Sequence, residues 1–454
     1  MKLGPRTLLG VLLLLLAGGI HAEPAQEFML KNGMKVIVKE DHRAPTVAHM
    51  VWYRVGAMDE VNGTTGVAHA LEHMMFKGTT TLKPGEFSRR VAEMGGRENA
   101  FTNKDYTAYF QQIEKSRLGA VMALEADRMV NLVFDPEQFS REIRVVMEER
   151  RLRTDDQPTA LVYEALNAAT WVAHPYHHPV VGWMDDLQHM TVQDVKAWHD
   201  RWYVPNNATM VVVGDVNAQE VVTLAEKNFG AIAARALPVT RPQNEPPQQG
   251  IRRVTVKAPA ENPYVALAFH APSLRNVEKD EDVHALEVLA AVLDGYDNAR
   301  LSATLVRTER IANSAGASYS SDARGASLFV LDGVPAKGVT SEQLEKRLRG
   351  EVRRVAVDGV SEQELKRVKN QLIAGQIYKR DSIFGQAMEI GTMEMSGISH
   401  KQIDRIIEKL GQVTAQQVKQ VAQKYFGDDA LTVANLVPLP LSEKKVASPP
   451  EHAH

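Results

Sequence analysis

Chemistry is concentrated in one short stretch, His69-Ala70-Leu71-Glu72-His73. On a helix, residues four apart share a face, one turn above the other, so His69 and His73 can present two imidazoles to one cation. Glu72 stands beside them, placed to hold and deprotonate a water at that cation. The order is H-x-x-E-H, the reverse of the commoner H-E-x-x-H. Catalytic zinc takes three protein ligands and keeps one position open. Acidic candidates for the third ligand lie on the helix-like run from Glu142 to Arg151, where Glu142 and Glu149 are two turns apart on one face. One of them can bind the metal while the other supports a histidine. The run Glu148-Glu149-Arg150-Arg151 also reads as an ordinary charged surface. With no cysteine in the chain, thiolate ligands and a cysteine nucleophile are excluded, and a His/Glu site suits zinc.

The elements that must position these groups are strands and helices in mixed order. Lys35–Lys39 and Thr46–Val55 alternate as strands do, and helical spacing covers 65–76, 86–94, 114–130, 136–152, 156–171 and 191–202. Further on, 252–257 and 263–271 read as strands, and 278–293 and 340–356 as helices. Residues 235–250 are rich in proline and glutamine and read as a linker between segments of similar length. The segments read as copies. Thr191, Val195 and Lys196 with Trp202-Tyr203 recur, equally spaced, as Thr414, Val418 and Lys419 with Tyr425-Phe426. The motif His69–His73 is echoed by His284-Ala285-Leu286-Glu287-Val288, where valine replaces the second histidine. One half carries the metal motif and the other has lost it. The expected fold is α+β: two homologous halves, each a sandwich of mixed or antiparallel sheet with helices. Domain bounds are 23–234 and 251–436, with a flexible tail at 437–454.

At the N-terminus, Lys2 and Arg6 precede the apolar run Leu8–Ala17, and Ile20-His21-Ala22 closes the stretch. That is a secretory leader over residues 1–22, too short for a comfortable span of about 20 apolar residues. The expected location is therefore outside the inner membrane, the periplasm if the source is Gram-negative, with no stable membrane insertion after cleavage. A formal net charge of −3 offers no basic field for nucleic acid.

Larger blocks carry a resemblance: GVAHALEHMMFKGT (66–79), GGRENAFTNKDYTAYF (95–110), LEADRM (124–129), VVMEERRLRTDDQP (145–158) and HPYHHPVVGW (174–183). Together they resemble the pitrilysin-type (M16) metallopeptidases, in the bacterial branch similar to mitochondrial processing peptidase. The resemblance implies zinc on His69, His73 and Glu149 rather than Glu148, with Glu142 supporting. It implies Glu72 as general base toward a zinc-activated water. It also implies a substrate strand at Asn99, Ala100 and Phe101 that takes extended peptides by main-chain pairing. His174, His177 and His178 lack helical ligand spacing and are read as packing, as is the patch Met388–Met395.

The chain departs from the family in one place. Active members use an Arg and a Tyr from a C-terminal domain to hold substrate near zinc. Arg307 matches the Arg, but Ser314 stands where Tyr is expected, and Tyr319 is displaced. The resemblance thus implies a dimer: a heterodimer whose second M16-like subunit supplies the pair, or a homodimer in which Tyr319 substitutes. Either would close as a clamshell around extended peptides. The alternative, a non-catalytic assembly subunit, has no physical need for His69, Glu72, His73 and Glu149 together.

Overall fold

The structure, a computed structural model, describes residues 24–241 and 243–441. The leader over 1–22 and residues 442–454 of the tail lie outside the described residues.

The first half runs β1 (Gln26–Met29), β2 (Lys35–Glu40), β3 (Thr46–Tyr53), α1 (Val67–Met74), α2 (Glu86–Glu93), β4 (Arg97–Thr102) and β5 (Thr107–Glu114). It continues α3 (Leu118–Asn131), α4 (Pro136–Arg150), α5 (Pro158–Thr170), α6 (Met184–His189), α7 (Val192–Trp202), β6 (Ala208–Gly214) and α8 (Ala218–Phe229). The second half runs β7 (Arg252–Pro259), β8 (Tyr264–Ala271), α9 (Glu281–Asp294), β9 (Ala312–Tyr319), β10 (Ser327–Pro335), α10 (Ser341–Asp358) and α11 (Glu362–Lys379). It ends with α12 (Ile383–Ser396), α13 (Ile403–Gln412), α14 (Ala415–Lys424) and β11 (Leu431–Leu439).

The two sheets repeat one topology. The first has strand order β1-β2-β6-β3-β5-β4 and the second β7-β11-β8-β10-β9. Apart from the added edge strand β1, each strand has a counterpart at the same place. In both sheets the one parallel pairing joins the first of these matched strands to the last, β2 to β6 and β7 to β11. The recurring Thr191 and Thr414 have a local cause: each caps its helix in a reciprocal box, with Asp194 and Gln417. Helix α9 follows β8 as α1 follows β3, so the degraded motif at 284–288 occupies the place of the intact one.

Helices exchanged between the halves lock them together. Val162 and Leu166 of α5 are buried against Ala266, Ala268 and Ala434 of the second sheet. Ala387, Ile390 and Met395 of α12 are buried against Met50, Trp52 and Val211 of the first. The Met388–Met395 patch is thus partly the seam between halves. The linker contains no helix or strand among its described residues, yet it is tied down. Glu245 accepts from the backbone N–H groups of Val172, Ala173 and His174, and Gln248 donates to the Leu431 carbonyl. Strand β11 continues to Leu439, paired with Pro259, so the boundary drawn at 436 and the tail from Val437 are corrected by three residues. Val437–Leu439 read as loop because Pro438 lies within the run and Pro440 follows it, but beyond Leu436 β11 pairs with β7 alone, and a strand with one side unpaired tolerates Pro.

Gly391 marks the tightest point of the seam. A Cβ there would lie 2.0 Å from the Trp52 indole, whose ring is fully buried. Gly391→Ala should therefore destabilise by about 1–3 kcal/mol through overpacking. Thermal unfolding checks this; a neutral substitution would contradict the packing described.

Candidate metal centre and its cleft

Helix α1 is held at its start by unusual means. Gly66 opens it with φ 85°, and a Cβ at that position would lie 2.5 Å from the Val181 carbonyl oxygen. Only glycine combines that left-handed backbone with so close an approach. The cap comes from outside the helix: the buried Glu60 carboxylate accepts from Gly66 N at 2.8 Å and Ala68 N at 2.9 Å. Burial pushes the Glu60 carboxyl up to about 8 even so. Asp186 fastens the adjoining loop, accepting from Thr65 N at 3.0 Å and Thr65 Oγ1 at 2.5 Å.

Helix α4 starts on Asp135, which caps Gln138 N, with Pro136 in its first turn. Its last turn is anchored by the buried Arg150, bidentate to Glu164 at 2.8 and 2.9 Å and donating to the Gly182 carbonyl at 2.9 Å. A π-helical turn, Arg151–Asp155, follows directly. Such turns often re-aim side chains at functional sites.

These anchors bring His69, His73 and Glu149 together, with one possible ligand atom from each, all within 4.8 Å of one another. Both imidazoles face the same carboxylate oxygen. Glu149 Oε2 lies 3.8 Å from His69 Nε2 and 3.3 Å from His73 Nε2. Its other oxygen, Oε1, is 2.5 Å from Arg153 Nη1. His73 Nδ1 stands 3.5 Å from Glu142 Oε2, and Lys77 Nζ is 2.8 Å from Glu142 Oε1. Glu142 thus sits on the far side of the His73 ring, where it favours a proton on Nδ1 and a lone pair on Nε2. Glu148 points elsewhere, to Arg151 on the surface. Burial drives the His69 imidazole down to about 3, helped by His73 and Arg153, so it stays neutral and able to donate a lone pair. Two imidazoles and one carboxylate oxygen fit zinc.

Glu72 borders the same cleft. Burial raises its carboxyl, and the Thr102 hydroxyl, donating to Oε2 at 2.6 Å, partly offsets this. The cleft, about 550 Å³, is lined by His69, Glu72, His73, Glu149 and the strand residues 99–102. Strand β4 is the outer strand of its sheet, so one edge of it is free of strand partners. Asn99 and Ala100 lie along this wall. Phe101 lines it too, and its ring also packs edge-on against Trp52 at 5.5 Å.

Arg307 is not brought to this cleft. Its guanidinium donates to the Asp297 carbonyl at 2.6 Å and to Asn298 Oδ1 at 3.3 Å, near Ser314 in the second half. A catalytic Arg307 would have to serve another subunit's centre. The Tyr319 hydroxyl is committed to the Pro272 carbonyl at 2.6 Å. His178 bonds Asn62, and His174 accepts from Tyr176 N. Two features escaped the sequence. Within the block 124–129, Glu125 and Arg128 form a buried ion pair, and the guanidinium lies 4.2 Å from the Phe87 ring and 4.4 Å from that of Tyr109. A second cluster, Glu27, Glu394 and His400, could also hold a cation. There Lys35 lies 2.7 Å from Glu394 and Lys401 3.3 Å from Glu27, so both carboxylates already have cations.

Comparison with known proteins agrees with this arrangement. Residues 35–182 match the family described as Insulinase (Peptidase family M16), and residues 189–372 match the Peptidase M16 inactive domain. The Helicobacter pylori protein named Zinc protease PqqE is 32% identical over 440 residues, 94% of this chain and 97% of that one. A crystal structure of a protease from Helicobacter pylori superposes with TM-score 0.87 at 30% identity, covering 91% of this chain and all of that one. The periplasmic protease PqqL from Escherichia coli shares the fold, with TM-score 0.77 at 19% identity; this chain spans 48% of it.

Because Glu142 orients His73 while Glu148 touches only Arg151, their amides should differ. Glu142→Gln should weaken zinc binding about 10- to 100-fold, and Glu148→Gln should leave it unchanged. Competition with a chromophoric chelator measures both; equal effects would contradict the assignment.

Proposed function

The chain belongs to the M16 peptidase family, and on that premise we propose that it is a zinc-dependent endopeptidase acting on extended peptides. The observation that carries the reading is the convergence of His69, His73 and Glu149 in one cleft with Glu72 and an open strand edge. The two imidazoles and the carboxylate would hold zinc. Bound there, zinc supplies Lewis acidity toward a water and the scissile carbonyl. Glu72 takes the proton of the attacking water and returns it to the leaving amine. Its burial holds proton affinity up, and the Thr102 bond fixes the carboxylate's direction. The edge of β4 pairs with the substrate main chain, giving affinity with little side-chain demand.

We further propose that the working unit is a dimer closing around a chamber. With Ser314 at the expected tyrosine position and Tyr319 bonded within its own half, a second M16-like subunit is the better source of an Arg/Tyr pair. The leader over residues 1–22 supports export, and the periplasm is the proposed compartment. A non-catalytic assembly role would leave Glu72, and the support Glu142 gives His73, without a task.

The test is a quenched-peptide assay with metal analysis. Glu72→Gln should keep its zinc and lose about 10²- to 10⁴-fold in turnover. Equal activity in both proteins would refute the base.

A further inference from the structure

Lys104 is a cation with no ion-pair partner among the described residues. It follows the cleft strand β4 directly, in the turn to β5, and is partly buried. Its Nζ donates to Asn167 Oδ1 and to the Tyr176 carbonyl, both at 2.9 Å, and lies 5.2 Å from the Tyr176 ring centroid. All of these are neutral partners. The neighbouring Asp105 carboxylate is taken by the Tyr176 hydroxyl at 2.5 Å and by Arg324 N at 3.0 Å. Among the described residues no carboxylate lies within ion-pair distance of Lys104. Burial lowers its ammonium to about 8, so it remains mostly charged at neutral pH. A desolvated charge with only neutral acceptors is costly, and an arriving carboxylate would relieve it.

Space for one is present. Lys104 opens into a pocket of about 300 Å³ between the halves, with Asn167 and Trp171 on one side and the hydroxyl-bearing Ser318–Ser320 on the other. This pocket is linked to the metal cleft by α5. Ala160 and Glu164 line the cleft, and Asn167 and Trp171 line the pocket. Positions 160, 164 and 167 fall on one helical stripe and Trp171 caps the helix one turn on, so one side of α5 passes from one to the other. At 1.5 Å per residue the midpoints of the two pairs are about 10 Å apart. That is the span of about three residues of extended peptide.

We propose that Lys104 and this inter-half pocket bind a carboxylate of the substrate about three residues from the scissile bond, making Lys104 a specificity residue. The inference rests on the peptidase reading, since it places the peptide along β4. The carboxylate can come from an acidic side chain or from a free C-terminus.

A binding experiment separates these and does not require turnover. In a Glu72→Gln background, fluorescence anisotropy compares a neutral C-terminally amidated peptide, the same peptide with glutamate at successive positions, and its free acid. One acidic arm should bind about tenfold more tightly than the neutral amide, and which arm does so identifies the source. Lys104→Gln should remove the preference and Lys104→Arg keep it. Asn167→Asp, which gives Lys104 a counter-ion in place, should also remove it and covers the case that Lys104→Gln fails to fold. Equal affinities for all peptides, or a preference surviving in both Lys104→Gln and Asn167→Asp, would overturn the proposal. Loss of turnover in the wild type with the binding preference intact would count against the peptidase reading alone.

Discussion

One carboxylate oxygen must face two imidazole nitrogens that belong to a different helix. Glu149 Oε2 does so, and much of the first half is arranged around that requirement. Helical geometry sets the spacing of His69 and His73 without further help, but nothing local brings α4 to α1. That meeting depends on anchors at the ends of both helices. Glu60 and the glycine contact at Gly66 fix the start of α1, and Arg150 with Glu164 fixes the end of α4. Each anchor is a buried, hydrogen-bonded polar group or a backbone-on-backbone approach, where a small displacement is expensive. Arg153 then holds the free oxygen of Glu149, leaving the other for the centre.

The half without a metal motif also takes part. Its β9–β10 turn reaches across the junction, where Arg324 pairs with Asp59 at 2.7 Å and donates to the Asp105 carbonyl at 2.9 Å. Asp59 immediately precedes Glu60, the cap of α1, and Asp105 lies in the turn that ends the cleft strand. The second half therefore braces both walls of the cleft. The reciprocal placement of α5 and α12 ties the sheets directly to each other, so neither half covers its own sheet alone. This arrangement explains why a duplicated segment that has lost its histidine at Val288 still keeps its helices and strands. Its core is also its partner's covering layer.

Much of this was legible in the sequence. Helix α1 and its motif could be read because period 3.6 and ligand spacing are properties of neighbouring residues. The duplication could be read because capping at Thr191 and Thr414 uses the same local chemistry. The choice of Glu149 over Glu148 was not readable from periodicity, since both lie on a charged run; the family resemblance made it, and the structure places Glu148 with Arg151. Phe101 was grouped with the cleft by the same resemblance; it does line the cleft, and its added packing on Trp52 joins residues far apart in the chain. Arg307 was placed by family pattern in a half whose geometry keeps it from this cleft. The helix exchange, the Arg324 bridge and the unpaired Lys104 left no local signal, because each joins residues far apart in the chain.

The central claim is that one cation is held by two residues of α1 and one of α4. Anomalous diffraction at the zinc edge, from crystals of the full mature chain grown with zinc, tests it directly. The account predicts a single strong peak about 2.0–2.2 Å from His69 Nε2, His73 Nε2 and a Glu149 oxygen. A peak between Glu27, Glu394 and His400 with none at α1, or no peak at all, would contradict it.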